Sequence, residues 1–319
     1  MPQTIQREIS KNIATGIAIT ILIFVVVVYT PIIGFFCSLF IPLPILFYRS
    51  KLGRTNGTVV LLVSVVIVTV LLGGTGIDML FFAELMMIGF VLSELMEMNL
   101  SVEKTVGYAC VTVISAGIIT LLIYSDMSLA GIIRQLSGHI RKILDHTIIQ
   151  YEKMGMPQEV IHKLLSQKEN IIYLFIRIIP GLLISFTLFV SWITLLASEL
   201  ILKKRGLFYP DFGSLKSWKP PEFLVWGVIG CGSAFLFSNV TFKIFALNGL
   251  FILITIYFFG GIAIVSFYFE EKHFPLGLKV SLYSLAIVLQ PFVMLLLISG
   301  LGFFDLWLNF RKLETKKSL

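Results

Sequence analysis

Long apolar runs alternate with short polar loops along almost the whole chain, from a run that begins at Ile13 to one that ends near Leu301. A helix needs about 20 apolar residues to cross roughly 30 Å of hydrocarbon, and most of these runs reach that length. The pattern predicts an all-α, polytopic membrane protein with about eight or nine transmembrane helices in a single membrane domain. We divide this domain into N-terminal spans (13–124), an amphipathic interfacial segment (125–170), C-terminal spans (171–310) and a basic tail (311–319).

The first apolar stretch, residues 13–48, is too long for one helix. Tyr29-Thr30-Pro31 offers a turn, because the residue before a proline avoids the helical conformation, and a tight hairpin of two short spans is predicted. A second turn is predicted at 49–57, where Asn56-Gly57 is a turn signal. The other predicted spans cover residues 58–72, 79–96, 106–124, 171–202, 223–237, 245–269 and 282 to about 304.

The number of spans conflicts with the charge at the end of the chain. Basic residues favour the cytoplasmic ends of spans, but nine crossings from a cytoplasmic N-terminus would place the basic tail outside. Either one predicted span is re-entrant or interfacial, or the region around Gln290-Pro291 is more complicated than one crossing. The sequence leaves both alternatives open.

The segment 125–170 has a different pattern from the spans. Its apolar residues recur at helical spacing, and charged residues occupy the opposing face. This pattern predicts an amphipathic helix that lies in the interface plane or against the bundle and does not cross it. A second, shorter amphipathic helix is predicted to start near Pro157. The apolar positions of the first helix are Leu129, Ile132, Ile133, Leu136, Ile140, Ile143, Leu144 and Ile148.

Composition and charge agree with a membrane location. Hydrophobic residues make up 57% of the chain and charged residues 13%, compared with about 25% charged residues in soluble domains. The net charge of +7 does not indicate a nucleic-acid partner, because the basic residues flank the ends of apolar runs. We expect a multi-pass protein of the inner membrane, surrounded by the lipid bilayer, with these clusters in the cytoplasm. The clusters are Arg49, Lys51 and Arg54; Lys203, Lys204 and Arg205; and Arg311, Lys312, Lys316 and Lys317.

Glu84 lies well inside the span 79–96, where an ionisable side chain costs roughly 2.5–3.5 kcal/mol on insertion scales. One interpretation makes it a cation or proton site, or a counter-charge for a ligand. The other makes it a structural carboxyl that is hydrogen-bonded to a neighbouring helix. Both stay open. Glu94 and Glu97, near the end of the same span, are interpreted as interfacial groups.

Arg177 lies about six residues, or roughly 9 Å, inside the span 171–202. Its aliphatic stem is long enough to return the guanidinium group to the interface, which is the structural interpretation. The functional alternative is that Arg177 faces a cavity beside the Pro180-Gly181 break, where it binds an anionic group or pairs with Glu84. A proline break frees backbone groups that only a cavity or a neighbouring helix can satisfy.

A polar stripe follows on the same predicted helix, with hydroxyl side chains at spacings of four, three and four residues. Such a stripe should face protein or water and not lipid, and packing is its commoner role. We keep the first two hydroxyls, and the side chain of Gln290 beside Pro291, as candidates for a cavity wall. The stripe consists of Thr187, Ser191, Thr194 and Ser198.

Small side chains in the later spans predict close helix packing. They are Gly227, Gly230, Gly232 and Ser233 in one span and Gly260 and Gly261 in the next. The three cysteines, Cys37, Cys110 and Cys231, are interpreted as packing residues, since they are far apart in sequence and lie in or beside apolar runs.

The sequence carries no motif of a known enzyme or metal site. It has no HExxH, no phosphate loop and no GxSxG. His139 and His146 are seven residues apart and lack the closer spacing of a helical metal pair. We therefore expect no catalytic residues, no metal, no cofactor and no enzymatic activity.

Three stretches carry a family resemblance: Phe40-Ile41-Pro42-Leu43-Pro44-Ile45 before the basic Lys51-Leu52-Gly53 loop, the span that contains Glu84, and the closing Phe303-Phe304-Asp305-Leu306-Trp307-Leu308-Asn309-Phe310-Arg311. With them the chain resembles the YybS-like predicted membrane proteins of bacteria over nearly its whole length. The resemblance implies a membrane protein and supplies no catalytic residues. The short first helices are also similar to those of the substrate-binding subunits of energy-coupling-factor vitamin transporters. Such subunits capture a small molecule and rely on separate ATPase subunits, but they usually have fewer helices.

These observations together predict a small-molecule transport component of the inner membrane, with Glu84, Arg177 and Gln290 at its cavity. The alternative is a non-transporting membrane scaffold or regulatory partner, in which amphipathic helices and small-residue faces recruit other proteins. A third function, that of a lipid-modifying enzyme, would require a coordinated set of polar residues at one membrane depth.

Overall fold

The computed structural model describes residues 3–125, 127–275, 277–279, 281, 284 and 291–312, and every regular element within them is helical. Six apolar segments in this part of the chain are long enough to span a membrane, which confirms the predicted all-α membrane bundle. The helices are α1 (Gln3–Tyr29), α2 (Pro31–Ser38), α3 (Pro42–Leu71), α4 (Ile77–Met96), α5 (Val102–Tyr124), α6 (Leu129–Lys153), α7 (Gln158–Lys204), α8 (Leu224–Ala234), α9 (Val240–Glu271) and α10 (Pro291–Leu308), with one 3-10 turn at Leu215–Ser217.

The helices pack into two compact units. Unit 1 contains Met1–Arg177 and Phe186–Asp211, and unit 2 contains Ile178–Ser185 and Phe212–Leu319. The single membrane domain that the sequence suggests stays a prediction.

In unit 1 the chain folds back at Thr30, where the sequence predicts a tight hairpin. A Cβ atom added to Gly34 would lie 2.3 Å from the carbonyl oxygen of Val27, so the two arms touch through their backbones. Further along the arms, Lys51 Nζ donates a hydrogen bond of 2.8 Å to Asn12 Oδ1. These contacts confirm the hairpin.

The helix α3 contains a second reversal, at Gly53, whose φ of +78° is a conformation that favours glycine. The chain returns so closely that a Cβ atom added to Gly57 would lie 2.7 Å from Arg49 Cα. The predicted turn at 49–57 is therefore present. We call the end of unit 1 that contains Arg49, Lys51 and Gly53 the basic end, and the opposite end the Thr30 end.

The helices α4 and α5 continue the antiparallel packing of unit 1 after α3. Gly89 of α4 sits against α3, since an added Cβ atom would lie 2.1 Å from the carbonyl oxygen of Pro42. At the Thr30 end, Tyr124 at the end of α5 donates a hydrogen bond of 3.1 Å to the carbonyl oxygen of Thr75, just before α4. The loop 97–101 between the two helices therefore lies toward the basic end.

The amphipathic helix α6 contacts the end of α5 near its start and pairs with the first part of α7 beyond it. Its placement in the interface plane or against the bundle stays a prediction. Near its start, Gln135 Nε2 donates a hydrogen bond of 3.2 Å to the carbonyl oxygen of Tyr124. Its second half pairs with the first part of α7: Arg141 donates two hydrogen bonds of 2.6 and 2.9 Å to Glu169, and Lys168 pairs with Asp145. The hydrogen bond and the charge of Glu169 raise the pKa of Arg141 above its ordinary value.

In unit 2, glycines bring α9 and α10 into backbone contact. Added Cβ atoms would lie 1.9 Å from the carbonyl oxygen of Ile298 at Gly261, and 2.0 Å from that of Tyr257 at Gly302. Gly260 lies against Pro220 in a similar way, at 2.9 Å. The predicted close packing is therefore confirmed at Gly260 and Gly261, whereas Gly230 and Gly232 have nothing within 4 Å of an added Cβ atom.

The span predicted at 223–237 is shorter in the structure. The helix α8 has 11 residues and extends about 16 Å, roughly half of the hydrocarbon thickness. Ahead of it the non-helical chain runs along α9, with Pro220 at Gly260 and Lys216 paired with Glu270. The start differs from the prediction by only one residue, and the lost length lies at the other end, where residues 235–237 form a turn and a bend.

Candidate functional site

Glu84 is held inside unit 1 between three helices. Its Oε1 atom accepts a hydrogen bond of 3.2 Å from Thr187 Oγ1 of α7, while Oε2 lies 4.0 Å from a Cβ atom added to Gly117 of α5. One turn earlier, the rings of Phe81 and Phe186 stack with their centroids 5.7 Å apart. The first part of α7 pairs with α6, which starts at the Thr30 end, and Arg205 just after α7 lies near Tyr48 toward the basic end, so α4 and α7 run in the same direction. The carboxyl group thus faces the bundle and meets a hydroxyl group there.

The predicted polar stripe of α7 is buried, as expected for a face that avoids lipid. Its four hydroxyl residues are between 0% and 1% exposed. Ser198 donates a hydrogen bond of 2.9 Å to the carbonyl oxygen of Leu195. Ser191 Oγ and Thr194 Oγ1, in contrast, are buried and have no hydrogen-bond partner among the described residues. A buried hydroxyl group without a hydrogen-bond partner destabilises a fold by about 1–3 kcal/mol. Two of them on one helix face are therefore unusual.

Arg177 is not part of this arrangement. It is exposed, and its guanidinium group lies over the ring of Tyr173, 3.9 Å from the centroid. Ten residues of helix, or about 15 Å, separate it from Thr187, which is further than an arginine side chain reaches. The structure therefore does not place Arg177 beside Glu84, because Arg177 lies too far along α7, and a role for Arg177 at a cavity stays a prediction.

The Pro180-Gly181 break in α7 is satisfied by a neighbouring helix in unit 2. The backbone N–H of Gly181 donates a hydrogen bond of 2.5 Å to Asn248 Oδ1 of α9. An added Cβ atom on Gly181 would lie 2.6 Å from Asn248 Cα, so this contact requires glycine. The sequence predicts that such a partner is needed, but it does not identify Asn248. The other cavity candidate, Gln290, lies outside the described residues.

A buried ionic cluster that the sequence reading missed lies at the basic end of unit 1. Arg49, only 2% exposed, donates hydrogen bonds of 2.9 Å to Glu94 Oε1, 3.1 Å to Glu97 Oε2 and 3.2 Å to the carbonyl oxygen of Ser93. Arg54, which is exposed, lies 3.6 Å from the same Glu94 oxygen. We call Arg49, Glu94 and Glu97 the Arg49 cluster. The spacing of the two glutamates, three residues apart on one helix face, is the signal that could have indicated it.

A second missed ion pair anchors the end of unit 2. Arg311 Nη2 donates a hydrogen bond of 2.7 Å to Asp305 Oδ2, and both residues are 2% exposed. Arg311 Nη1 also donates to the carbonyl oxygens of Lys216 and Trp218, at 2.7 and 2.9 Å. Arg311 belongs to a predicted basic topology cluster, but it fixes the loop before α8 to the end of α10. The start of that loop and the end of α10 therefore lie at the same end of unit 2.

Comparison with known proteins gives a family and no function. No curated protein and no solved structure matches the chain. A family model described as a predicted membrane protein, DUF2232, matches residues 18–306, which is most of the chain. This match agrees with the predicted membership of a membrane protein family and leaves the likeness to the YybS-like proteins and to energy-coupling-factor subunits as predictions. The chain is multi-pass by its helices and belongs to the DUF2232 family of predicted membrane proteins.

Proposed function

We propose that the protein is a small-molecule transport component of a cell inner membrane, and that it binds its ligand in unit 1 beside Glu84. One observation carries the proposal: a membrane-embedded carboxyl contacts Thr187 on a helix face where two further hydroxyls, of Ser191 and Thr194, are buried without described partners. A packed interior normally pairs such groups. A polar ligand between α4, α5 and α7 would supply the partners.

The cost of an ionisable group in a membrane supports this proposal. Glutamates within membrane helices are rare, and they mark pathways of substrates, ions or protons more often than they serve packing alone. On the α5 face Gly117 places no side chain against Glu84, whose Oε2 atom lies 4.0 Å from an added Cβ atom. The basic residues at one end of unit 1 support a cytoplasmic position for that end.

We also propose that the protein works together with partner proteins. The resemblance to energy-coupling-factor subunits suggests separate ATPase subunits that drive release of the ligand. We further propose that the protein is not an enzyme, because its sequence has no motif of a known enzyme.

A second function, that of a membrane scaffold, is favoured by the hairpin of α6 and the first part of α7. This hairpin keeps large apolar side chains exposed on both helices, including Ile133 and Ile143 on α6 and Leu165 on α7. Helices with such faces dock on other proteins or on a membrane surface. In that function Glu84 would only stabilise the packing of α4 against α7.

The experiment that tests the proposal compares molecules that co-purify with three forms of the protein. Wild type, Glu84→Gln and the control Glu159→Gln, at an exposed position near the start of α7, are extracted in mild detergent and examined by mass spectrometry. We expect a stoichiometric small molecule in wild type and in Glu159→Gln that is lost in Glu84→Gln at equal protein yield. The same protein partners in all three forms, with no bound small molecule, would support the scaffold instead.

A further inference from the structure

We propose that Glu84 binds a monovalent cation, a proton or Na⁺, and that the buried hydroxyls of α7 extend this site toward the Arg49 cluster. The inference rests on the proposed function, because it names the ion that a transport component would couple to its ligand. It is independent of which organic molecule is carried.

The charge around Glu84 selects a cation over an anion. The groups described next to its carboxyl are the hydroxyl of Thr187 and the α5 face that carries Gly117 and Cys110. None of them is basic. A carboxylate at membrane depth needs a positive counterpart, and a proton or a small cation can provide it where no side chain does.

Along α7, α3 and α4, the nearest described charged side chains lie too far from Glu84 to neutralise its carboxylate. On α7, Arg177 is about 15 Å from the level of Thr187. On α3, Arg49 and Arg54 lie beside Glu94, about 15 Å further along α4 than Glu84. Asp78, the other acid on α4, lies about 9 Å toward the Thr30 end and faces His139 at 3.6 Å.

The hydroxyl groups of Ser191 and Thr194 are the second, independent indication of a ligand. Both residues are 0% exposed, and neither hydroxyl has a hydrogen-bond partner among the described residues. A hydroxyl oxygen can coordinate a cation through its lone pairs, and the hydroxyl group can both donate and accept in a proton path. These groups share the helix face of Thr187, because the spacing of four and seven residues returns to the same side.

The direction of the stripe connects Glu84 with the basic end of unit 1. Since α4 and α7 run in the same direction, Ser198 lies about 16 Å beyond Thr187, while Glu94 lies about 15 Å beyond Glu84. The stripe therefore ends at the level of the Arg49 cluster. Glu97 in that cluster has a side chain that is 57% exposed.

Two measurements on the purified, intact protein distinguish the proton from Na⁺. Infrared difference spectra between acidic and alkaline buffer report the C=O stretch of a protonated carboxyl. Thermal melts in NaCl and in choline chloride at equal ionic strength report Na⁺ binding. Wild type, Glu84→Gln, Thr194→Val and the control Glu159→Gln are compared.

A proton site predicts a carboxyl band that is lost in Glu84→Gln and present in Glu159→Gln. A Na⁺ site predicts stabilisation by NaCl that is lost in Glu84→Gln, with about a tenfold weaker apparent Na⁺ affinity in Thr194→Val, the equivalent of one hydrogen bond. Either result supports the inference. Identical spectra and identical melts for wild type and Glu84→Gln would overturn it.

The two proposals can fail separately. If Glu84→Gln loses a co-purifying small molecule and yet shows no difference in either cation measurement, the transport proposal stands and the cation inference is wrong. If it shows no difference in any of these measurements, both are wrong.

Discussion

At the scale of single residues, Arg49 shows how strongly tertiary contacts change the meaning of a charged side chain. Its position after an apolar run makes it a topology signal in the sequence, yet it is buried and bound by two glutamates. A buried arginine is tolerated because its planar group can form several charge-assisted hydrogen bonds at once. Removal of Arg49 leaves the carboxylates of Glu94 and Glu97 close together without a positive charge between them.

We predict that Arg49→Met lowers the free energy of unfolding by about 2–3 kcal/mol, less than for a fully buried pair because Glu97 is half exposed. Chemical unfolding in detergent micelles measures this change. The matched control is Arg54→Met, whose side chain is 77% exposed and which should cost less than about 1 kcal/mol. Equal losses in the two variants would contradict the structural role of the Arg49 cluster.

A second residue prediction concerns Tyr209, which lies outside the apolar helices and donates a hydrogen bond of 3.3 Å to the carbonyl oxygen of Leu195. Burial raises the pKa of Tyr209 above its ordinary value near 10. The folded protein therefore keeps the phenol proton at a pH where the unfolded chain loses it. The resulting stabilisation is complete below about pH 10 and declines as the pH rises further.

The comparison of wild type with Tyr209→Phe tests this direction. The stability difference between the two should be constant from neutral pH to about pH 9 and should shrink at more alkaline pH, because only wild type loses the contribution of the phenol. Denaturant unfolding at a series of pH values measures it. A difference that stays constant over the whole range would show that Tyr209 does not titrate in this way.

At the scale of elements, sequence periodicity predicts what is local to one helix and misses what two helices build together. The stripe of Thr187 and Ser191 was predictable, because helical spacing alone places both hydroxyls on one polar face. The hairpin at Thr30 was predictable from proline chemistry. The contacts of Arg49 with Glu94 and of Gly181 with Asn248 were not, since they join residues far apart in sequence whose register no local pattern specifies.

The contacts of the glycines in unit 2 also join distant residues, so the sequence shows only that small side chains occur together in the later spans. We predict that Gly261→Ala destabilises the protein by about 1–3 kcal/mol, because its new Cβ atom would overlap the backbone of α10. Gly230→Ala on α8 is the control, since nothing lies within 4 Å of its Cβ position. It should be neutral or slightly stabilising, because alanine favours a helix.

Melting temperatures of the two glycine variants in the same detergent measure the difference. A loss in Gly261→Ala alone supports the backbone contact between α9 and α10. Similar melting temperatures for both variants would show that the contact is looser than the structure describes.

At the scale of the whole molecule, contacts of charged residues define the ends of each unit. In unit 1 the Arg49 cluster and Lys51 lie at one end, and Tyr124 and the start of α6 lie at the other. In unit 2 the loop at Lys216 and the buried Arg311 share an end. The loop at Lys216 and the end of α10 therefore face the same side of the membrane.

This arrangement predicts the side of the membrane for the loops of unit 1. Single cysteines in a cysteine-free variant, at Lys51 and at Gly155 between α6 and α7, should react with an impermeant thiol reagent from opposite sides. The basic residues around Lys51 favour the cytoplasm for that end. Gly155 joins α6 and α7 beyond the opposite end of unit 1, so it is expected on the outer side. Labelling of intact cells and of inverted vesicles measures this, and reaction of both positions from one side would contradict it.

The most direct test of the proposed ligand site is whether the buried hydroxyl face of α7 is accessible to a polar reagent. Ser191→Cys and Val190→Cys are neighbouring positions that are both 0% exposed, one on the polar stripe and one among apolar side chains. In the cysteine-free variant, a small, water-soluble thiol reagent is applied to the folded protein in membranes, and labelling is measured over time. We predict rapid labelling at Ser191→Cys and very slow labelling at Val190→Cys. Equally slow labelling at both positions would show that the stripe is packed against protein and would contradict a ligand site beside Glu84.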